Sequence, residues 1–228
     1  MKKDAQTDTP LRFYSDIREN GILTISEGTI AKKAVYITVG NNSTVTIGED
    51  CLFHGEVTLY TKDNCNLTIG DGCIIIDTKI VCGSNASVSI GANTTINDNS
   101  AIFCRTDHVI TIGNDCMFSQ DVVVHAGDAH PIIDTSTQQI TNDPPPDSPK
   151  KRILIHDHVW LGWGCMVLHG SEVGAGSIIA ARSLVNKRFP NNCLIAGHPA
   201  TLKKSNTGWK RSRNWETPDT YLELTREI

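Results

Sequence analysis

Three side chains that can move or orient a proton fall within six residues of this sequence. They are His125, Asp128 and His130, and Pro131 follows the last of them. An imidazole accepts a proton near neutral pH, and a neighbouring carboxylate can hold the ring in one orientation. These residue types are candidates for general-base chemistry, in which Asp128 would orient a ring or support the local chain. The structural alternative is a loop histidine packed against Pro131.

These side chains begin a segment that interrupts a regular pattern. The pattern is lost between Val124 and Ile153, and prolines occur at 144, 145, 146 and 149. Proline has no backbone N–H to donate, so the segment cannot continue a strand ladder. We therefore predict a loop over 126–151 that protrudes from the body of the protein. Loops on rigid scaffolds often carry function; the alternative is a variable surface insertion without a role.

The regular pattern is a repeat of short aliphatic strands. Ile47, Ile69, Ile90 and Ile112 are separated by 22, 21 and 22 residues, and Ile155 follows 43 residues later. After Ile155 the period shortens to six. A small residue stands four positions after each anchor, where a bulky side chain would not fit. The first four of these small residues are Cys51, Cys73, Thr94 and Cys116. Short strands at a constant period predict a parallel β-solenoid.

The repeat predicts a single all-β domain with three parts. We expect an N-terminal lead-in over 1–21, the solenoid over 22–205 with its protruding loop, and a short C-terminal tail over 206–228. The tail shows no repeat, so the sequence leaves open whether it packs back on the solenoid or extends to a neighbour.

Composition limits the possible functions. The chain has 228 residues and a formal net charge of −4, and its basic residues are scattered, so no nucleic-acid partner is expected. No run of 18 apolar residues occurs, so we expect no membrane insertion and a cytoplasmic location. None of the eight cysteines forms a Cys-x-x-Cys pair. Because several occupy the small slot of the repeat, we interpret the cysteines as core residues.

The loop motif belongs to an ordered set of segments along the chain. The set consists of Asp128-Ala129-His130-Pro131-Ile132, Asn142, His158-Val159-Trp160-Leu161-Gly162, Ala181-Arg182-Ser183-Leu184-Val185-Asn186-Lys187 and Ile195-Ala196-Gly197-His198-Pro199-Ala200. In this order the segments resemble the acyl-coenzyme A dependent O-acetyltransferases of the hexapeptide-repeat family. The resemblance is greatest to the enzymes that modify polysialic acid, capsule and lipopolysaccharide.

The resemblance supplies a handedness that the residues alone do not. Parallel crossovers are right-handed in about 98% of cases. Hexapeptide-repeat proteins are instead left-handed parallel β-helices of triangular section. The expected fold is therefore a left-handed β-helix.

The resemblance also implies a reaction. It implies transfer of an acetyl group from acetyl-coenzyme A directly to a saccharide hydroxyl, with His130 as the general base. We expect Asp128 to assist His130, and we expect no metal. Trp160 would line the channel that holds the thioester. The implied cofactor-binding positions are Trp160, Gly162, Ala181, Ser183, Lys187 and Lys204. On the acceptor side lie His125 and Asn142. The family further implies a homotrimer in which each active site lies between two solenoids.

Two departures from the family bear on the acceptor. His125 stands where the sugar O-acetyltransferases often have arginine, and it is a rival base to His130. The proline-rich stretch also lengthens the loop. An amine acceptor in place of a hydroxyl stays open, because the product would change only from ester to amide.

Two other kinds of protein remain as alternatives. A γ-class carbonic-anhydrase-like metalloenzyme shares this solenoid and uses three histidines, and His125 and His130 have the five-residue spacing of two such ligands. A zinc site needs three convergent protein ligands, and the sequence shows no such set. A non-catalytic scaffold would keep the repeat but would have no reason to keep the loop histidine and Trp160.

Overall fold

The computed structural model describes residues 12–211 and shows a parallel β-solenoid with three faces. The chain runs along the first, second and third faces in turn, which completes one coil. The next coil then adds one strand to each face. The first and second faces each carry eight parallel strands, and the third carries eight parallel strands plus one antiparallel strand. The solenoid predicted from the repeat is confirmed.

The strands are short on every face. The first face contains Phe13–Ile17, Val35–Val39, Val57–Thr61, Lys79–Cys82, Ala101–Cys104, Val123–Ala126, Met166–Leu168 and Leu184–Val185. The second face contains Ile22–Ile25, Thr44–Ile47, Asn66–Ile69, Ser87–Ile90, Val109–Ile112, Arg152–Ile155, Glu172–Val173 and Arg188–Phe189. The third face contains Ile30–Ala31, Leu52–His54, Ile74–Ile76, Thr95–Ile96, Met117–Phe118, Trp160–Leu161, Ile178–Ile179, Cys193–Gly197 and the antiparallel Ala200–Ser205. A single 3₁₀ turn, Pro149–Lys151, is the helical element of the described chain.

The core follows from the alternation of side chains along each strand, because successive residues point to opposite faces of a sheet. Ile47, Ile69, Ile90, Ile112 and Ile155 are in register on neighbouring strands and are at most 1% exposed. All eight cysteines are free and buried. The anchors and the small interior slots therefore form the core as the repeat predicts.

The corner between the first and second faces, called the first corner below, is built from stacked polar turns. Five residues there share positive φ angles and link their side chains from coil to coil. These residues are Asn20, Asn42, Asn64, Asn85 and Asp107. Asparagine and aspartate tolerate this left-handed conformation better than other residues with a Cβ. The corner thus keeps a constant shape until it reaches the loop.

The ends of the solenoid differ from the predicted bounds. The first strand begins at Phe13, within the predicted lead-in, because Phe13–Ile17 pairs in register with Val35–Val39. At the other end, residues 206–211 leave the antiparallel strand and pack back on the solenoid through Trp209, which is 8% exposed. The remaining parts of the predicted lead-in and tail, 1–11 and 212–228, lie outside the described residues.

Over residues 12–211, the fold has no helix with the length and apolar character needed to cross a membrane.

Candidate functional site

The interruption predicted from the prolines is a loop at the first corner. It leaves the first face after Ala126 and returns to the second face at Arg152. Gly127 opens the loop with φ +90°, a conformation that favours glycine. A Cβ at Gly127 would lie 2.8 Å from Cε1 of His108, so the glycine also allows the chain to pass close to this ring.

Asn142 closes the base of the loop. Its Nδ2 donates to the Asp128 carboxylate at 2.8 Å and to the backbone oxygen of His130 at 2.9 Å. Its Oδ1 accepts the backbone N–H of Ile132 at 2.7 Å. One amide side chain therefore fixes the segment 128–132 on both sides of the exposed His130 ring.

The middle of the loop is a small hairpin with an apolar surface. Ile133 and Ile140 form an antiparallel bridge. Asp134 accepts hydrogen bonds from the Ser136 hydroxyl and from two backbone N–H groups, and these bonds lower its pKa. Ile132, Ile133 and Ile140 are each at least half exposed. The loop thus has a defined fold and presents three isoleucines to its surroundings.

A cleft of about 460 Å³ lies between this loop and the first corner. The loop contributes Asp128, His130 and Asn142 to the lining. The structure therefore brings together three of the predicted site residues. The body of the solenoid and the returning end of the loop contribute charged and titratable side chains to the same lining. They are Lys62, Arg105, Asp107, His108 and Lys151.

The return of the loop is anchored by a mostly buried lysine. The Lys151 side chain is 10% exposed and its Nζ lies 3.1 Å from the Asp143 carboxylate. A buried ammonium requires a partner, and Asp143 supplies one from the loop itself. This pair holds the end of the loop against the wall of the cleft.

His125, the rival base, is engaged elsewhere. Nε of Arg105 donates to Nε2 of His125 at 3.1 Å, and the ring packs edge-on against Phe103. Burial lowers the pKa of His125, and the positive charge of Arg105 lowers it further. Because its Nε2 lone pair already accepts the Arg105 hydrogen bond, His125 is poorly placed to remove a proton from a substrate. This geometry favours His130 as the base.

Trp160 lies on a different side of the solenoid from the loop that carries His130. It is in the strand Trp160–Leu161 of the third face, and its Nε1 donates to the Ser119 hydroxyl at 3.1 Å. Its ring centroid is 6.1 Å from that of Trp209. The loop with His130 instead protrudes at the first corner. The single chain therefore does not bring the predicted base and the predicted thioester-channel tryptophan together.

The segment that contains Trp209 is fixed to the corner between the second and third faces. The Trp209 indole stacks on the ring of His158 at 4.2 Å, and its Nε1 donates to the His158 carbonyl at 2.8 Å. His158 also contacts the Asp115 carboxylate through Nδ1, 2.7 Å away. The wall beside Trp160 is thus built partly from the C-terminal segment.

The other predicted cofactor residues are spread over the solenoid. Gly162 and Ala181 lie at the corner between the third and first faces, where a Cβ on Gly162 would be 2.6 Å from the Ile179 carbonyl oxygen. Lys204 is exposed on the antiparallel strand of the third face, whereas Lys187 lies at the first corner beside Phe189. Lys187 and Lys204 are therefore on different sides of the solenoid.

Ser183, another predicted cofactor-binding residue, has its side chain inside the solenoid. It is 2% exposed, and its hydroxyl accepts the backbone N–H of Gly197 at 3.2 Å inside the solenoid. The physical reason is its place in the repeat, because Ser183 fills the small interior slot four residues after Ile179. Its hydroxyl is committed to the core.

The cleft residues that were not predicted include the charged or titratable Lys62, Arg105, Asp107, His108 and Lys151. The period of the repeat could have predicted two of them, Arg105 and His108. Arg105 precedes Gly127 by 22 residues, and His108 precedes His130 by the same number. One coil contains about 22 residues, so Arg105 and His108 lie in the coil that precedes and packs against the start of the loop.

Among residues 12–211, no three histidine, cysteine, aspartate or glutamate side chains converge in a way that could hold a metal ion.

Known proteins resemble this chain in sequence and in fold. No family model matches it. The galactoside O-acetyltransferase of Lactococcus lactis subsp. lactis (strain IL1403) is 38% identical over 78 residues, which cover 32% of this chain and 36% of that relative. The chain therefore matches about a third of the length of this curated relative.

Two solved structures match nearly the whole chain. The polySia specific acetyltransferase NeuO is 30% identical, with a TM-score of 0.79 over 90% of this chain and 92% of that one. The polysialic acid O-acetyltransferase OatWY is 29% identical, with a TM-score of 0.79 over 90% of this chain and 94% of that one. The similarity thus extends over nearly the whole chain.

Proposed function

The chain belongs to the hexapeptide-repeat, left-handed β-helix acyltransferases, and we propose that it transfers an acetyl group from acetyl-coenzyme A to a hydroxyl of a saccharide. The observation that carries this proposal is the cleft in which the loop holds Asp128, His130 and Asn142 together. The names of the relatives, which act on galactosides and polysialic acid, favour a surface glycan or its precursor as the acceptor. Such a reaction would contribute to polysaccharide biosynthesis.

His130 acts as the general base in this proposal. Its imidazole accepts the proton of the sugar hydroxyl while the hydroxyl oxygen attacks the thioester carbonyl carbon. The carbon–sulfur bond then breaks, the acetyl group stays on the sugar oxygen, and the coenzyme A thiolate recovers the proton. Asn142 holds the backbone on both sides of His130, and this keeps the ring at one position in the cleft.

The transfer is direct, without an acetylated cysteine. All eight thiols are buried in the core. Burial raises the pKa of Cys116 and of Cys165 to about 12. A thiol must be accessible to act as a nucleophile, and these buried thiols are not.

The complete site lies between two copies of the chain. His130 protrudes at the first corner. Trp160 lies on the third face, and Gly162 follows directly after the same strand. A site that uses both sides needs the loop of one copy against the third face of the next. Three copies around a threefold axis satisfy this requirement at every interface, so we propose a homotrimer. We place the reaction in the cytoplasm, where acetyl-coenzyme A is available.

A binding and transfer experiment tests the proposal. We expect acetyl-coenzyme A to raise the melting temperature, because a ligand at 100 times its Kd stabilises the folded state by about 2.7 kcal/mol. Labelled acetyl-coenzyme A should then acetylate oligosialic acid or a galactoside to give a base-labile ester. A base-stable amide on an amino sugar would instead indicate an N-acetyltransferase. A response to zinc without a response to acetyl-coenzyme A would contradict the proposal.

A further inference from the structure

We propose that His108 is an acceptor-binding residue, whose Nε2 accepts a hydrogen bond from a hydroxyl of the saccharide in the cleft that contains His130. This inference rests on the proposed function, since it assigns a role toward the same acceptor. It adds a second imidazole to the cleft, one that binds and selects the sugar while His130 removes the proton.

The position of His108 brings it to the loop. The ring lies at the first corner, one coil before His130, and lines the same cleft. A Cβ built on Gly127 would be 2.8 Å from Cε1 and 2.9 Å from Nε2 of His108. This edge of the ring therefore faces the start of the loop rather than the interior of the solenoid.

The hydrogen bond of the opposite nitrogen fixes the tautomer. Nδ1 of His108 lies 2.8 Å from the backbone oxygen of Thr106. A carbonyl oxygen only accepts, so Nδ1 must carry the proton, and in a neutral ring Nε2 then keeps its lone pair. Within residues 12–211 Nε2 has no hydrogen-bond partner, and no buried side-chain nitrogen or oxygen there lacks one. Nε2 is therefore accessible and available as an acceptor.

The surroundings of His108 favour the neutral ring. Burial lowers its pKa, and the positive charge of Lys151 and the neighbouring His169 ring lower it further. The Thr106 carbonyl and the Asp107 carboxylate act in the opposite direction without reversing the shift. The His169 ring packs edge-on against the His108 ring, with 6.3 Å between the ring centroids.

The neighbouring His125, in the strand Val123–Ala126 of the first face, cannot take this role. Nε2 of His125 already accepts a hydrogen bond from Arg105. Of the two partly buried imidazoles with a lowered pKa, His108 is the one whose Nε2 remains open to a ligand. A sugar offers hydroxyl donors, which match a bare imidazole nitrogen better than they match the protein's ammonium and guanidinium groups.

The tautomer can be measured without any substrate. In protein with ¹⁵N-labelled histidine, we expect His108 at pH 7 to carry its proton on Nδ1 and to show an unprotonated Nε2. His108→Gln identifies the signal by its loss. An Nε2–H tautomer, or a doubly protonated ring at pH 7, would overturn the proposal.

Steady-state kinetics test the contact itself, with oligosialic acid and a galactoside as acceptors. For His108→Phe we expect KM for the acceptor to rise about tenfold, the loss of roughly one hydrogen bond, while KM for acetyl-coenzyme A stays the same. His108→Gln should recover most of this loss, because its side-chain oxygen can accept in place of Nε2. His54→Phe, an exposed histidine on the third face, is the matched control and should change neither constant.

The outcomes separate this inference from the proposed function. An unchanged acceptor KM in His108→Phe, with transfer intact in the wild type, would overturn the role of His108 alone. A Gln variant as impaired as the Phe variant would show a packing role and would also overturn it. If the wild type acetylates neither acceptor, the proposed function fails on these sugars, and the ¹⁵N measurement still decides the state of His108.

Discussion

The side-chain amide of Asn142 joins the Asp128 carboxylate, 2.8 Å away, to the backbone oxygen of His130, 2.9 Å away. These contacts link two separate segments of a loop that lies outside the repeat. Asn142 therefore holds the loop together by hydrogen bonds, as the pairing between neighbouring coils holds the rest of the chain together. The position of His130 is therefore tied to this one side chain.

Removing this link should impair transfer more than folding. For Asn142→Ala we expect kcat to fall about tenfold or more, because the base loses its fixed position. The melting temperature should change little, since the contacts lie in an exposed loop. Gln139→Ala, at the exposed far end of the hairpin, is the control and should retain full activity. A normal kcat in Asn142→Ala would show that the loop is positioned by other contacts.

A composite site predicts complementation between two inactive variants. His130→Ala and Trp160→Ala should each lack activity, yet refolding them together should restore part of it. Some interfaces in the mixture then combine an intact loop from one copy with an intact third face from the next. Mixing His130→Ala with Asp128→Ala is the control, because every loop in that mixture carries one defect. Mixed oligomers without recovered activity would mean that His130 and Trp160 serve no common site.

The two partly buried histidines predict how stability changes with pH. Burial lowers the pKa of both His108 and His125 below the ordinary value, which is about 6.5. Between the lowered and the ordinary pKa the unfolded chain binds more protons than the folded chain, so stability rises with pH in that window. The stability contribution is present above the unfolded pKa and is lost as pH falls through the folded one.

Urea unfolding measures this linkage. We expect the free energy of unfolding to decrease as the pH falls from 7 to 5, and the double variant His108→Gln with His125→Gln to show a shallower decrease. His54→Gln serves as the control and should keep the wild-type slope. Equal slopes in the double variant and the wild type would contradict the lowered pKa values.

The cysteine core predicts slow thiol chemistry. Every cysteine of the chain is buried, and burial raises the pKa of Cys104, as it does that of Cys116 and Cys165, to about 12. The native protein should therefore resist a thiol reagent, and the unfolded protein should react at all eight cysteines. Mass spectrometry after a short exposure gives the count. Rapid labelling of the native protein would reopen a covalent mechanism.

The repeat made most of the fold predictable. The residues that it did not place correctly have physical explanations. Ile47 to Ile155 align because identical coils must place identical side chains inside. Phe13 escaped the pattern because the first strand pairs on one side only and lies largely exposed apart from Phe13 itself. Trp209 was unpredictable because it follows the last coil and packs across strands distant in sequence.

The site was predictable where a motif coincided with local geometry. Asp128, His130 and Asn142 meet because the chain between them is short and folds on itself. Ser183 was assigned by analogy along the sequence, and the small-residue rule of the repeat predicts that its side chain lies inside. His108 was missed because its contact with the loop arises between coils, and only the 22-residue period relates it to His130.

The most direct test of the central claim compares two histidine variants at saturating acetyl-coenzyme A. For His130→Ala we expect the rate of acetyl transfer to fall by about 100-fold or more, while acetyl-coenzyme A still raises the melting temperature. His125→Ala should keep most of the rate, because its Nε2 is committed to Arg105. Transfer that persists in His130→Ala but is lost in His125→Ala would contradict the assignment of His130 as the base.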